Sequence, residues 1–470
     1  MDHLYTQLAA DLTDRIEQGL LRPGDRLPGV RELARQRGLS VATAVAAYRA
    51  LETGGQIEAR PRSGFYVRAQ TRAVIVEPEQ SNPLPKPTPV SGQDMVLRLA
   101  QAASDPSILQ LGAAVPDPAF LPTRAIERAL ASAAHHHRVR SSAYEFPPGL
   151  PALRHQIARR MAAAGARVHP DEIIITNGCQ EALTLALQTV TRPGDIVALE
   201  SPTFYGLLQV VEALGLKALE IPTHPRTGLS LEALQLALEQ WPVKACVAVT
   251  NFSNPLGHCM SDGQKQALVE LTARYSVPLI EDDIYGDLGH RHQRPGTAKA
   301  FDTGGNVLYC SSVSKTLSPG LRIGWIAPGR FREQVLYRKY VTNLATSTVT
   351  QLAVADLLES GRYDRHLRVM QGEFARAVQR MTAAVSRHFP PGTRITQPEG
   401  GFVIWVELPA AIDSFELSGR ALQAGVSIAP GPIFSATGKY RNFLRLSCAC
   451  QWNERTETAL VKLGQLVASA

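Results

Sequence analysis

Ser312-Val313-Ser314-Lys315, followed seven residues later by Arg322, brings an amine nucleophile, two hydroxyls and a guanidinium into one short segment. A lysine amine condenses with an aldehyde to give a Schiff base. Hydroxyls and an arginine fork suit a phosphate dianion. An aldehyde that also carries a phosphate describes pyridoxal 5′-phosphate (PLP). The same letters occur in solvated loops, so the reading depends on whether the chain supplies the other contacts such a group needs.

Regular elements have to carry those contacts. Beyond about residue 95, short apolar runs at 173–175, 196–199, 246–249, 278–280 and 307–309 read as buried strands of a mostly parallel sheet. The stretches 180–190 and 264–275 read as helices between them. In α/β architecture ligands sit at the carboxyl ends of strands, and chemistry-bearing residues follow each run.

Thr176-Asn177-Gly178-Cys179-Gln180 follows the first run and opens a helix, whose free N–H groups suit a phosphate. An ordinary helix capped by Asn177 has the same pattern. Ser201-Pro202-Thr203-Phe204-Tyr205 follows the second, where an aromatic can stack on a planar ring or the tyrosine can belong to the core. Asn251-Phe252-Ser253-Asn254-Pro255-Leu256-Gly257 follows the third, a tight turn with an amide able to donate to a ring oxygen. Glu281-Asp282-Asp283-Ile284-Tyr285 follows the fourth. Three adjacent acids can ligate a metal, but an aspartate with a tyrosine three residues on fits a protonated pyridine and its ring oxygen better. Lys315 and Arg322 follow the fifth.

Jointly these positions resemble the PLP-dependent aminotransferases of the aspartate aminotransferase fold, from about residue 105 to the C-terminus. The resemblance implies that Lys315 forms the Schiff base and moves the proton, and that Asp282 pairs with the pyridine nitrogen. It implies that Asn254 and Tyr285 hold the ring oxygen and that Tyr205 stacks on the ring. Gly178, Cys179, Gln180, Ser312, Ser314 and Arg322 would surround the phosphate. Cys179 stands where serine or alanine is usual. Tyr144, shortly before Pro147-Pro148-Gly149, would reach the phosphate of a neighbouring subunit, which implies a homodimer. Arg445 matches the arginine that forks a substrate α-carboxylate; otherwise it is a surface arginine on an edge strand.

The first 70 residues have a different character. Leu4, Leu8, Leu12 and Ile16 keep helical spacing, Val30, Leu33 and Ala34 form a second short helix, and Ser40 caps a third. Short strands near 56–59 and 65–68 flank Arg60-Pro61-Arg62-Ser63-Gly64. A helix-turn-helix with a hairpin wing lays a helix in the DNA major groove, and every cation here is an arginine. Gly24-Asp25-Arg26-Leu27-Pro28, Arg31-Glu32-Leu33-Ala34, Leu39-Ser40, Thr43, Ala47-Tyr48-Arg49 and Gly64-Phe65-Tyr66-Val67 resemble the winged helix-turn-helix of GntR regulators. DNA contacts are implied at Arg31, Ser40, Thr43, Arg60 and Arg62. Gly29 and Val41-Ala42 replace the serine and arginine usual in that family.

Composition bounds the remainder. The chain has 470 residues, 44% hydrophobic and 19% charged, with a net charge of +7. That is globular composition and permits a nucleic-acid partner. No apolar run reaches membrane-spanning length and no leader pattern opens the chain, so a cytoplasmic protein is expected. Six cysteines form no disulfide framework. His135-His136-His137 point three ways on a helix, so no metal site is expected.

Residues 71–94 carry five prolines and read as a semi-rigid linker. The expected organisation is a winged helix-turn-helix domain at 1–70, the linker at 71–94 and an α/β aminotransferase-like domain at 95–470. That combination resembles the MocR-type branch of GntR regulators. It implies a homodimeric regulator that binds double-stranded DNA and senses PLP or a small amino compound. An active aminotransferase is the alternative, and the operator, effector and direction of regulation are not legible.

Overall fold

Leucines four residues apart place α1 (Leu4–Glu17), with Leu8 and Leu12 buried. α2 (Val30–Arg37) stops where Gly38 turns left-handed, φ 62°, and returns its N–H to Ala34 O. α3 (Val41–Thr53) starts at Ser40, whose Oγ accepts the Thr43 N–H at 3.1 Å. β1 (Ile57–Arg60) pairs antiparallel with β2 (Gly64–Val67), Arg60 facing Gly64. This is the helix-turn-helix with a wing. The computed structural model describes residues 4–17, 20–53, 56–60, 63–68, 75–91, 105, 107–291 and 294–469. Two compact units result, Met1–Ile75 and Val76–Ala470.

The second unit is built on one sheet. Its strands are β3 (Thr88–Pro89), β4 (Ile174–Thr176), β5 (Ile196–Ser201), β6 (Lys217–His224), β7 (Gly228–Leu229), β8 (Val243–Ala248), β9 (Leu279–Asp282), β10 (Val307–Ser312) and β11 (Gly324–Ala327). The order is β3-β6-β5-β8-β9-β10-β11-β4, with β7 beside β6. The block β6-β5-β8-β9-β10 is parallel. Helices cover both faces, which is why β9 and β10 are buried along their whole length. β11 runs antiparallel between β10 and β4, so β4 again points along the block. The carboxyl ends of β4, β5, β8, β9 and β10 therefore share one edge. A smaller antiparallel sheet holds the strands Arg394–Ile395, Val403–Glu407, Phe443–Ser447 and Ala429–Pro430, in that order.

The proline-rich stretch differs from the expected spacer. From Val76 onward it lies on the large unit. Val76 O accepts the Ile395 N–H at 2.9 Å, Ser81 Oγ accepts the Thr223 N–H at 2.8 Å, and β3 pairs antiparallel with β6. An extended proline-rich chain can add to a sheet edge, where missing N–H groups cost nothing, and composition does not separate that from a free linker. The positions 71–74 and 92–94 fall outside the described residues. Among the described residues no helix is long and apolar enough to cross a membrane, no His/Cys/Asp/Glu group could hold a metal, and all six cysteines are free thiols.

Candidate functional site

The shared strand edge closes around a cavity of about 150 Å³, whose lining includes Cys179, Phe204, Asn254, Asp282, Tyr285 and Lys315. Each side chain is set there by the turn that ends its strand. Lys315 follows β10 and donates from Nζ to Ala114 O at 2.7 Å. Burial pulls its ammonium down to about 8, and the Arg445 guanidinium acts in the same direction. A useful fraction of neutral amine is then present near neutral pH.

Asp282 ends β9. Burial pushes its carboxyl up to about 6, so it is ionised at pH 7. Its Oδ1 accepts from the Cys179 thiol at 3.3 Å and from the Ile284 N–H at 3.3 Å. Asn254 Nδ2 donates to Tyr285 Oη at 3.4 Å, and burial holds that phenol protonated.

Arg445 sits on a central strand of the smaller sheet rather than an edge, and it is fully buried. Nη1 donates to Asn254 Oδ1 at 3.0 Å and Nη2 donates to Gly112 O, while buried Nε has no partner. The Phe434 and Tyr205 rings lie 5.2 and 5.6 Å from the guanidinium carbon. Among the described residues no carboxylate lies within ion-pair distance of it. A buried cation met only by neutral acceptors calls for an anion.

The other end of the cavity suits a phosphate. α4 (Cys179–Val190) begins at Gly178, φ 83°, with no side-chain cap, so its first N–H groups are unclaimed by side chains at the cap. Arg322 Nη2 donates to Asn177 O at 2.6 Å, and a Cβ on Gly178 would stand 2.5 Å from that guanidinium. Ser314 and Arg322 line the cavity. Ser312 lies behind it and accepts the Ser314 N–H through Oγ at 3.2 Å. The Gln180 amide turns away to Gly206 O at 2.8 Å, leaving its backbone N–H for the site. An amine, an ionised carboxylate, a phenol–amide pair and an anion cradle fit PLP by chemistry and by order around one cavity.

Gly178→Ala tests the cradle. The φ 83°, ψ 174° backbone alone costs about 1–3 kcal/mol for a residue with a Cβ. PLP affinity should fall by roughly 10-fold or more in an absorbance titration. Unchanged affinity would remove the cradle from the phosphate contact.

Three placements were not legible in the sequence. Phe204, not Tyr205, lines the cavity. The helix Tyr205–Ala213 begins one residue later, which turns Tyr205 toward Phe434 and Arg445, with ring centroids 5.5 Å apart in the first case. The Ala114 and Gly112 carbonyls come from a segment remote in sequence, with no side-chain signal. Tyr144 is 68% exposed and stacks on Phe146 outside the cavity.

In the first unit Arg31 is exposed on α2. Ser40 and Thr43 share a hydroxyl hydrogen bond of 2.8 Å at the start of α3. Arg60 pairs with Glu58 at 2.8 Å and lies over the Tyr66 ring. Arg62 falls outside the described residues.

Comparison with known proteins agrees with both halves. Residues 4–67 match the family model of bacterial regulatory proteins of the gntR family, and residues 108–463 match that of aminotransferase class I and II. Two proteins of Escherichia coli (strain K12), the uncharacterized HTH-type transcriptional regulators YjiR and YdcR, are each 42% identical to the chain. The first alignment covers 99% of both chains and the second 98% of both. Among solved structures, a multiple substrate aminotransferase from Thermococcus profundus has a TM-score of 0.74 at 26% identity, over 81% of this chain and 97% of that one. LysN, an alpha-aminoadipate aminotransferase from Thermus thermophilus complexed with N-(5'-phosphopyridoxyl)-L-leucine, has a TM-score of 0.74 at 27% identity, over 81% and 95%. With a gntR unit, a class I and II aminotransferase unit and full-length relatives of the same build, the chain belongs to the MocR-type branch of the GntR family.

Proposed function

We propose that this chain is a PLP-binding transcriptional regulator that senses an amino acid or related amine carrying a carboxylate. The observation that carries the reading is Arg445, buried beside the cavity that holds Lys315 with no carboxylate at ion-pair distance among the described residues. When bound, PLP supplies an aldehyde that condenses with amines and a ring that withdraws electrons. The chain's residues supply the rest. Lys315 offers a neutral amine, and Asp282 keeps a proton on the pyridine nitrogen. Asn254 and Tyr285 would hold the ring oxygen, Phe204 would offer an aromatic face to the ring, and the start of α4 with Ser314 and Arg322 would take the phosphate. Arg445 keeps an unpartnered Nε–H, and its terminal nitrogens, one N–H each on Asn254 and Gly112, retain a second N–H with which to fork a carboxylate.

An effector can regulate only if it binds two states of the protein unequally. The test is a titration of holoprotein with amino acids, reading the visible spectrum and the affinity for a selected DNA duplex together. Regulation predicts that one compound shifts both at the same concentration. A spectral change with turnover and constant DNA affinity would instead favour an aminotransferase. The residues that the resemblance assigns to transamination, Arg445 included, are all present in the chain.

The DNA reader is the first unit. Arg31 is exposed where a phosphate contact is expected, and Val41, 48% exposed at the start of α3, suits a thymine methyl. Arg31→Ala should weaken binding to all duplexes and reduce the slope of log affinity against log salt by about 1. An unaltered slope would take Arg31 out of the footprint.

A homodimer is part of the proposal. Tyr144, Phe146, Tyr340 and Val341 are exposed, Tyr144 against Phe146 and Phe146 6.1 Å from Tyr340. An aromatic patch of this kind on an isolated chain suits a partner surface. Tyr144 lies within it, as a residue reaching a neighbour's phosphate would.

A further inference from the structure

The first turn of α4, beside the phosphate cradle, carries an acid. Glu181 is the third residue of the helix whose N-terminus faces the phosphate cradle. A carboxylate there repels a phosphate dianion while competing for the same positive helix end. Its surroundings resolve the conflict. Glu181 Oε2 accepts from Lys339 Nζ at 2.8 Å and from the Asn177 N–H at 2.5 Å, and Oε1 accepts from Asn343 Nδ2. The Lys339 side chain is 1% exposed and the Glu181 side chain 12%. Lys339 Nζ also donates to Thr346 Oγ1 at 3.0 Å.

Asn177 is consequently gripped on both sides. Its N–H is held by Glu181, and its carbonyl accepts from Arg322 at 2.6 Å. The next residue is Gly178, and the peptides that follow carry the N–H groups of Cys179 and Gln180. Rotation of the Asn177 peptide would re-aim those donors. The helix Arg332–Asn343 supplies Lys339 and Asn343, and the turn after it supplies Thr346. Leu344 holds φ 60° in that turn, a left-handed conformation that strains a leucine, and Asn343 and Thr346 on either side of it both reach the pair. An arrangement maintained against that strain is a built one.

We propose that, in a cavity that holds PLP, Glu181 and Lys339 are positioning residues for the phosphate cradle. Glu181 fixes the Asn177 peptide so that the first N–H groups of α4 face the phosphate. Lys339 cancels the charge that Glu181 would otherwise set against it. Neither residue lines the cavity. Their effect is confined to ligands that carry the phosphate.

That confinement is the test. Full-length protein is titrated with PLP and with pyridoxal, which has the aldehyde and ring but no phosphate, and capture at Lys315 is read by absorbance. Lys339→Met leaves the Glu181 carboxylate without its counterion. PLP affinity should fall by about 10-fold or more, because an uncompensated carboxylate repels the phosphate dianion, with pyridoxal affinity unchanged within about 2-fold. Glu181→Gln keeps an acceptor for the Asn177 N–H and removes the negative charge, so PLP affinity should hold or rise. Glu181→Ala removes the clamp, and PLP affinity should fall.

The double variant Glu181→Gln with Lys339→Met is neutral, keeps the acceptor, and should return PLP affinity toward wild type even if Lys339→Met alone folds poorly. Equal losses for PLP and pyridoxal, or no rescue in the double variant, would overturn the proposal and leave a structural pair. Failure of wild-type protein to capture either aldehyde would overturn the PLP reading itself, and with it this assignment.

Discussion

Lys315→Ala should eliminate borohydride-trapped PLP and the visible absorbance of the bound cofactor, with the fold retained. Other buried lysines are engaged. Lys265 donates to Gly296 O, Lys299 to Asp302 and Val307 O, and Lys339 to Glu181. Lys315 alone among these lines the cavity, and its contact is a neutral carbonyl that an aldehyde carbon can displace. Truncation removes one hydrogen bond and costs about 1 kcal/mol of stability, so melting should shift little.

The pH dependence gives the same assignment a second readout. The reactive form is the neutral amine, and the ammonium is pulled down to about 8. Capture should accelerate as pH rises toward 8 and level off above it. An unburied lysine would keep accelerating to much higher pH. A trapped adduct on any other lysine, or a wild-type spectrum in the variant, would remove Lys315 from its role.

Much of this site was readable because most contributing residues end or follow a largely buried strand, and such strands leave continuous apolar runs. Asp282 and Lys315 end or follow β9 and β10, which are buried throughout. β11 escaped notice because Gly324–Ala327 is four residues long and begins two residues after Arg322. It is nonetheless the strand that reverses direction and returns β4 to the same edge. Phe204 and Tyr205 are adjacent aromatics, and only the start of the helix at Tyr205 decides which one faces the cavity. A hydrophobic pattern locates such a boundary to within a few residues, which is too coarse here.

Glu181 reads in sequence as an ordinary first-turn acid, and its partner is 158 residues away. The burial of Arg445 is likewise invisible in its own strand, because the partner carbonyl at Gly112 is 333 residues distant. The packing of residues 76–91 on the large unit depends on contacts with Thr223 and Ile395, which composition cannot report.

Arg445→Met should abolish the response to carboxylate-bearing amines and leave PLP capture intact. A carboxylate held by a buried guanidinium loses about 2–4 kcal/mol when the cation is removed, a roughly 30- to 1000-fold drop in affinity. Amines without a carboxylate should change little, and that contrast separates loss of the anion contact from damage to the site. Arg445→Lys should not restore binding, because an ammonium cannot make the two parallel hydrogen bonds of a guanidinium.

Stability should move the other way. In the absence of an anion, Arg445 is a desolvated charge with two neutral acceptors and an orphaned Nε. Removing an unpaired buried charge recovers its desolvation cost of several kcal/mol, which outweighs about 1–3 kcal/mol for each neutral acceptor left without its donor. The aromatic faces of Phe434 and Tyr205 offset part of that cost. The melting temperature of the Met variant should equal or exceed that of wild type without ligand, and added carboxylate-bearing amine should raise only the wild-type value. A fall in the variant's melting temperature with carboxylate response preserved would show that Arg445 serves the fold and that another cation receives the effector.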